Sequence, residues 1–99
     1  MGYCMQMQNA KFFVQSENVG KFLFHMSALP YEYSFDIQGN ITGIKFKGMM
    51  LGNEDKVFPK AAPYVKDGSF LEMTGEGNER WRWCFSNSKC TTQKARLIY

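Results

Sequence analysis

The apolar residues of this chain change their spacing at Ser16, and that change limits the folds open to it. Residues 11–15 form a short β-prone run, whereas beyond Ser16 apolar side chains recur every three or four positions until Pro30. That spacing lines one face of a helix, and a serine just before it favours a helix start. The pattern therefore predicts a strand over residues 11–15 and a helix from Ser16 that ends at Pro30.

Beyond Pro30 the pattern becomes that of paired strands. Apolar and polar residues alternate over residues 31–37, residues 38–40 have turn composition, and a second apolar run spans residues 44–51. This predicts a hairpin with one buried face. Asn53 then favours a second helix start, but Pro59 and Pro63 predict that this helix is short or kinked.

The carboxy-terminal half repeats the same order of elements. Alternation over residues 70–74 and 80–85 predicts two strands, and a turn at residues 86–89 leads to a last strand over residues 90–99. The two predicted helix-plus-hairpin units give β-α-β-β-α-β-β-β, an α+β fold with an antiparallel sheet and two helices on one face. We expect a ferredoxin-like arrangement with an added strand, and its strand order stays open.

The length of 99 residues predicts a single domain over residues 1–99, with residues 1–10 flexible or irregular. Apolar residues make up 44% and charged residues 21% of the chain, which is typical of a globular protein. Neither a secretory signal nor an apolar run of membrane-spanning length is present in the sequence. We therefore expect a cytoplasmic protein that does not enter a membrane.

The strand period also predicts which side chains share a face of the sheet. One set is expected to face the helices: Tyr33, Phe35, Ile44, Phe46, Leu71, Met73, Trp81, Trp83, Phe85 and Leu97. The opposite face would then be basic, with Lys45, Lys47, Arg80, Arg82, Lys94 and Arg96. Glu32, Asp36 and Glu72 fall on that face too, so it is either a solvated surface of mixed charge or a site that binds an anion.

The segment from Arg80 to Trp83 alternates cationic and indole side chains. Guanidinium groups can hold a phosphate or carboxylate through two hydrogen bonds. Tryptophan and arginine are also typical of protein-binding hot spots. Trp81 and Trp83 fit equally with a buried core, so the sequence leaves their exposure open.

Signatures of catalysis and of metal binding are missing from the sequence. The single histidine, His25, is predicted on the polar side of the first helix without an adjacent nucleophile motif, and the three cysteines include no Cys-x-x-Cys pair. We predict no catalytic residue, no metal and no cofactor. Cys84 and Cys90 would point to opposite faces with a two-residue loop at Asn87-Ser88, and would share a face with a three-residue loop.

Two segments, residues 67–73 (DGSFLEM) and 76–85 (EGNERWRWCF), resemble those of small uncharacterised proteins of bacteria and their phages, some of them ferredoxin-like. The resemblance implies a bacterial or phage setting, in which proteins of this size commonly bind and inhibit a larger host complex. It implies no catalytic residue.

The sequence thus favours a non-enzymatic protein-binding module, such as a phage or mobile-element inhibitor of a host defence complex. The segment from Arg80 to Trp83 or a sheet edge would make the contact, and the last strand is the expected edge for a homodimer. The alternative is a weak nucleic-acid-binding protein that uses the predicted basic face, with an affinity that falls steeply with salt.

Overall fold

The computed structural model describes residues 3–50 and 52–94, and of residues 3, 47, 49 and 50 it describes the backbone alone. This part of the chain folds into strands and two helices, so the predicted α+β class is confirmed. In chain order the elements are β1 (Tyr3–Lys11), α1 (Ser16–Met26), β2 (Glu32–Phe35), β3 (Ile41–Lys45), β4 (Lys47–Met50), α2 (Glu54–Ala61), a 3-10 turn (Ala62–Tyr64), β5 (Ser69–Gly75), β6 (Arg80–Ser86) and β7 (Lys89–Lys94).

The strands form two separate sheets. Five of them lie in the order β4-β1-β5-β6-β7, and every pairing in this main sheet is antiparallel. β2 and β3 pair only with one another among the named strands. The predicted ferredoxin-like arrangement differs from this topology, because the first predicted hairpin lies outside the main sheet and β4 takes the place beside β1.

β1 corrects the prediction for the amino terminus. Residues 3–11 form a strand that pairs with β4 on one side and with β5 on the other, with a bulge between Met7 and Asn9. Residues 3–10 thus form a paired strand rather than an irregular segment, because two neighbouring strands satisfy their backbone groups. The predicted strand over residues 11–15 is reduced to an isolated bridge between Val14 and Ile41.

The first helix begins where its apolar spacing predicts, but Ser16 is not its cap. Gln15 occupies the cap position and makes no side-chain capping bond. The Ser16 amide instead donates to Asn40 Oδ1 at 2.8 Å, so a residue of the β2–β3 turn satisfies one of the free amides at this helix end. α1 ends at Met26, three residues before Leu29.

The second helix is short, as its prolines predict. α2 runs for eight residues, includes Pro59, and passes directly into the 3-10 turn that contains Pro63. A proline inside a helix removes one hydrogen bond and crowds the preceding turn, which favours such an early end.

Aromatic side chains join the helices to the main sheet. On α2, Phe58 packs edge-on against Trp83, with ring centroids 4.7 Å apart, and also contacts Phe85. On α1, Phe22 lies 5.6 Å from the ring of Phe12 and also meets Tyr33 of the separate hairpin. These contacts place both helices and both sheets around a shared hydrophobic cluster.

Candidate protein-binding surface

The side chains of β6 alternate between the two faces of the sheet, as the sequence predicts. Trp81, Trp83 and Phe85 are buried, whereas Arg80 and the side chain of Arg82 lie on the other face. Trp83 is only 4% exposed and Trp81 9% exposed, and their indoles meet edge-on at 5.7 Å. The two tryptophans therefore belong to the core, which decides between the two interpretations that the sequence left open.

Arg82 has partners inside the protein. Its Nε and Nη2 atoms each lie 3.1 Å from Glu72 Oε2 on the neighbouring strand, and its guanidinium stacks over the Phe70 ring at 4.4 Å. Glu72 faces Arg82 directly in the β5–β6 register. The charge at the centre of the predicted basic face is therefore compensated by a cross-strand carboxylate.

Two further predicted basic residues lie elsewhere. Lys45 belongs to β3 in the separate hairpin, opposite Glu32. Lys94 pairs with Trp81 and so projects on the helix-covered side of the main sheet, away from Arg82. The prediction of one shared basic face is wrong, because the hairpin leaves the main sheet and the register of β7 turns Lys94 to the other side.

The remaining predicted basic residues contribute less to a common surface. Arg80 is exposed and lies opposite Thr74 of β5. Lys47 pairs through its backbone with Gln6, and its side chain is not described. Arg96 and the predicted core residue Leu97 lie outside the described residues. Anion binding by any of them stays a prediction.

An open groove of about 540 Å³ lies beside the buried tryptophans. Within it Glu54, at the start of α2, is only 2% exposed and accepts a hydrogen bond of 2.9 Å from the Gly52 amide. The groove is lined by Gly52, Glu54, Asp55, Glu79, Arg80, Trp81, Trp83, Thr92 and Lys94. Its charges are of both signs, so it does not select an anion.

Two exposed large apolar side chains lie at the turn between β2 and β3. Phe35 is 52% exposed and Ile37 is 104% exposed, as open as in an extended peptide. This contradicts the prediction that Phe35 faces the helices. We call Phe35, Ile37 and the turn residues 36–40 the apolar tip.

Asp36 holds the turn of the apolar tip in shape. Its Oδ1 accepts hydrogen bonds from the amides of Gln38 and Asn40, both at 2.9 Å, and its Oδ2 accepts one from Asn40 Nδ2 at 2.9 Å. The Asn40 side-chain bond, with the amides of this turn, lowers the pKa of the Asp36 carboxyl against an opposing effect of desolvation. Because the Asn40 carbonyl also accepts from the Asp36 amide at 3.0 Å, the turn is closed from both ends.

Asn40 also fastens the apolar tip to α1. The Oδ1 of Asn40 accepts from the Ser16 amide while its Nδ2 donates to Asp36, so one side chain bridges the turn and the helix. The Ile41 backbone adds two bonds to Val14, at 2.9 and 3.0 Å. The two exposed apolar residues are therefore carried by a tethered turn rather than by a free loop.

Sequence reasoning missed the apolar tip because it read residues 31–37 as one continuous strand. The signal that ends β2 at Phe35 is Asp36, a residue that favours a turn by accepting amides two residues ahead. Ile37 then falls in the turn, where alternation no longer decides its side.

A second surface group surrounds His25. Its ring stacks on Tyr64, with centroids 5.7 Å apart, and meets the ring of Phe24, which is 75% exposed. The predicted solvent-facing histidine is thus partly covered by aromatic neighbours. No nucleophile is seen among these contacts.

The cysteines of the last hairpin lie on opposite faces. Asn87 and Ser88 both have positive φ, 52° and 61°, and form a two-residue turn closed by the pairing of Ser86 with Lys89. In this register Cys90 faces Phe85 on the core side while Cys84 faces Thr91 on the outer side. The structure thus favours the two-residue alternative, in which these cysteines do not pair.

Comparison of the chain with protein-family models, with curated proteins and with solved structures found no match in any of the three. Over residues 3–50 and 52–94, no group of three or more His, Cys, Asp or Glu side chains is placed to hold a metal ion. Neither α1 nor α2, the helices of the described chain, is long and apolar enough to cross a membrane.

Proposed function

We propose that this protein is a small non-enzymatic protein-binding module and that the apolar tip is its main contact with the partner. The observation that carries the proposal is the exposure of Phe35 and Ile37 on a turn held by Asp36 and Asn40. Solvent exposure of a whole isoleucine is costly, and a contact that covers it recovers about 1.5–3 kcal/mol.

The fixed turn strengthens this argument. Binding loses free energy when side chains or loops become ordered, so a surface that is already ordered binds more tightly for the same area. The Asp36 bonds and the Asn40 bridge to Ser16 supply that order before any partner is present. A partner that fits has an apolar cleft wide enough to receive the turn of a β-hairpin.

A nucleic-acid partner is supported less well. Arg82 is paired with Glu72, Lys45 stands opposite Glu32, and Lys94 projects to the other side of the main sheet. The contiguous row of cations that phosphate binding requires is therefore interrupted. Inhibition of a host complex, which the sequence resemblance implies, stays a prediction for the protein partner.

The test compares a tip variant with a matched surface variant. Phe35→Ser/Ile37→Ser removes the two apolar side chains of the apolar tip, and Phe24→Ser removes a phenylalanine on α1 that is even more exposed than Phe35. Partners are captured from bacterial lysate with each protein, identified, purified and titrated. We expect the tip variant to bind the purified partner roughly 30-fold or more weakly, since two central anchors are lost, and Phe24→Ser to bind as the original does.

Two outcomes would contradict the proposal. One is a purified partner that binds the tip variant and the original equally well. The other is tight binding of unrelated oligonucleotides that weakens with salt and is lost in Arg80→Ala/Arg82→Ala, which would move the function to the basic residues.

A further inference from the structure

β7 is an edge strand with an open outer side. Among the strands of residues 3–50 and 52–94 it lies at the end of the main sheet, beside β6 alone. Its side chains are exposed except for Cys90, which is half-buried. Such an edge offers unpaired backbone groups to another strand.

The register of the last hairpin shows which backbone groups these are. In a two-residue hairpin the pair that closes the loop is hydrogen-bonded, and bonded and non-bonded pairs alternate from there. The closing pair is Ser86 with Lys89, so Thr91 and Gln93 bond to β6. The amides and carbonyls of Cys90, Thr92 and Lys94 therefore point away from β6, toward the edge.

We propose that two copies of this protein associate through β7, antiparallel, with a two-fold axis at Thr92. In this register Thr92 faces Thr92 of the second copy, and Cys90 faces Lys94 of the second copy. Of the symmetric registers, only this one pairs all three outward-pointing residues of β7 with one another. It makes six backbone hydrogen bonds and joins the two main sheets into one.

The charges near the edge fit this register. Asp55 of α2 lines the same groove as Thr92 and Lys94 of its own copy, on the helix-covered side of β7. Burial raises the pKa of the Cys90 thiol to about 12, and the Asp55 carboxylate adds to that rise. Lys94 of the second copy, facing Cys90 on the same side of the sheet, comes close to Asp55. The symmetry gives two such Lys94–Asp55 pairs, and it keeps Lys89 and Lys94 from facing one another.

This inference is independent of the apolar tip. Phe35 and Ile37 belong to the separate hairpin, whereas β7 ends the main sheet. A dimer would present two apolar tips, which strengthens binding to a partner with two sites. Failure of either proposal leaves the other standing.

The first test uses proline at the two-fold axis. Thr92→Pro removes an amide that points outward and not toward β6, so the fold is kept, as edge strands tolerate proline at such positions. Mass is measured by sedimentation over a range of protein concentration, and circular dichroism checks the fold. We expect a reversible dimer for the original and about 10- to 100-fold weaker association for Thr92→Pro, because two central hydrogen bonds are lost. Thr91→Ala, on the β6-bonded side, is the matched control and should dimerise as the original does.

The second test exchanges charges and does not depend on the proline variant folding. Lys94→Glu brings like charges together and should weaken the dimer several-fold, and Asp55→Lys/Lys94→Glu should restore it. A monomer at every concentration for the original protein would overturn the inference. So would a dimer that neither Thr92→Pro nor Lys94→Glu weakens, because another surface would then hold the two copies together.

Discussion

The strand β6 and the apolar tip place similar residue types in opposite surroundings. β6 carries two tryptophans and two arginines, yet the indoles are buried and Arg82 is paired with Glu72. The apolar tip carries one phenylalanine and one isoleucine in an ordinary stretch of sequence, and both are exposed. The difference shows that covering layers and cross-strand neighbours, rather than residue type, decide which side chains are left exposed.

The two regions also differ in what holds them. β6 is paired on both sides and covered by α2, so its shape depends on packing. The turn of the apolar tip is held by hydrogen bonds of two polar side chains, Asp36 and Asn40. Packing and polar bonds respond differently to mutation and to pH, so three predictions can separate the two regions.

The largest effect is expected in the core. Trp83→Ala removes a buried indole that contacts Phe58 and Trp81, and we expect the free energy of unfolding to fall by about 3–5 kcal/mol. Denaturant unfolding measures it. Ile37→Ala, the matched change in the apolar tip, should alter the same quantity by less than about 0.5 kcal/mol. A similar loss of unfolding free energy in the two variants would mean that Ile37 is packed in the protein, and would contradict the difference between β6 and the apolar tip.

A smaller effect is expected where the apolar tip joins α1. Asn40→Ala removes the acceptor of the Ser16 amide and a donor to Asp36, and should lower the free energy of unfolding by about 1–2 kcal/mol, as loss of a helix cap does. Asn40→Ala should also weaken partner binding, because the turn of the unbound variant would no longer be held in one conformation. Gln38→Ala in the same turn is the control for both measurements. Unchanged partner binding in Asn40→Ala would show that the tether does not prepare the apolar tip.

The smallest effect is expected from acidification. The hydrogen bonds of the turn hold the pKa of Asp36 below its usual value, so the folded protein favours the carboxylate more than the unfolded chain does. The resulting stability is complete above the unfolded pKa of about 3.9 and is lost as the pH falls through the lower folded pKa. We expect the original to exceed Asp36→Asn in Tm near neutral pH, and the two to converge in acid.

Thermal melts of both proteins over a pH series measure this difference. A Tm difference that grows as the pH falls would mean that the folded protein raises the pKa of Asp36, opposite to the effect of the observed bonds.

Local sequence patterns were sufficient to predict much of the fold. The start of α1, the short α2 and the alternation of β5 and β6 agree with the sequence, since each depends on spacing within a few turns or residues. β1 was missed although Met5 to Gln8 alternate, because this stretch lacks the β-branched residues typical of strands and its strand form depends on pairing with residues more than 40 positions away. The separate β2–β3 sheet was missed for a related reason, since alternation predicts a strand but not its neighbour.

The candidate surface was harder to predict than the fold. Exposure of Phe35 depends on Asp36 ending the strand, and compensation of Arg82 depends on the register that places Glu72 opposite it. A shift of one residue in that register would have moved Glu72 to the other face. The hairpin loop between Cys84 and Cys90 shows the same dependence. A loop longer by one residue would place the two cysteines on the same face of the sheet.

The α+β class, the positions of the helices and the alternating faces of β5 and β6 can be predicted from residue spacing, because backbone periodicity is a local property. The burial of Trp81 and Trp83, the dispersal of the predicted basic residues and the exposure of the apolar tip become known from the folded chain alone. Those outcomes depend on which strands become neighbours and in what register. Contacts between residues distant in sequence determine both the neighbours and the register. Alternative sets of these contacts are nearly equal in free energy until the whole core is assembled.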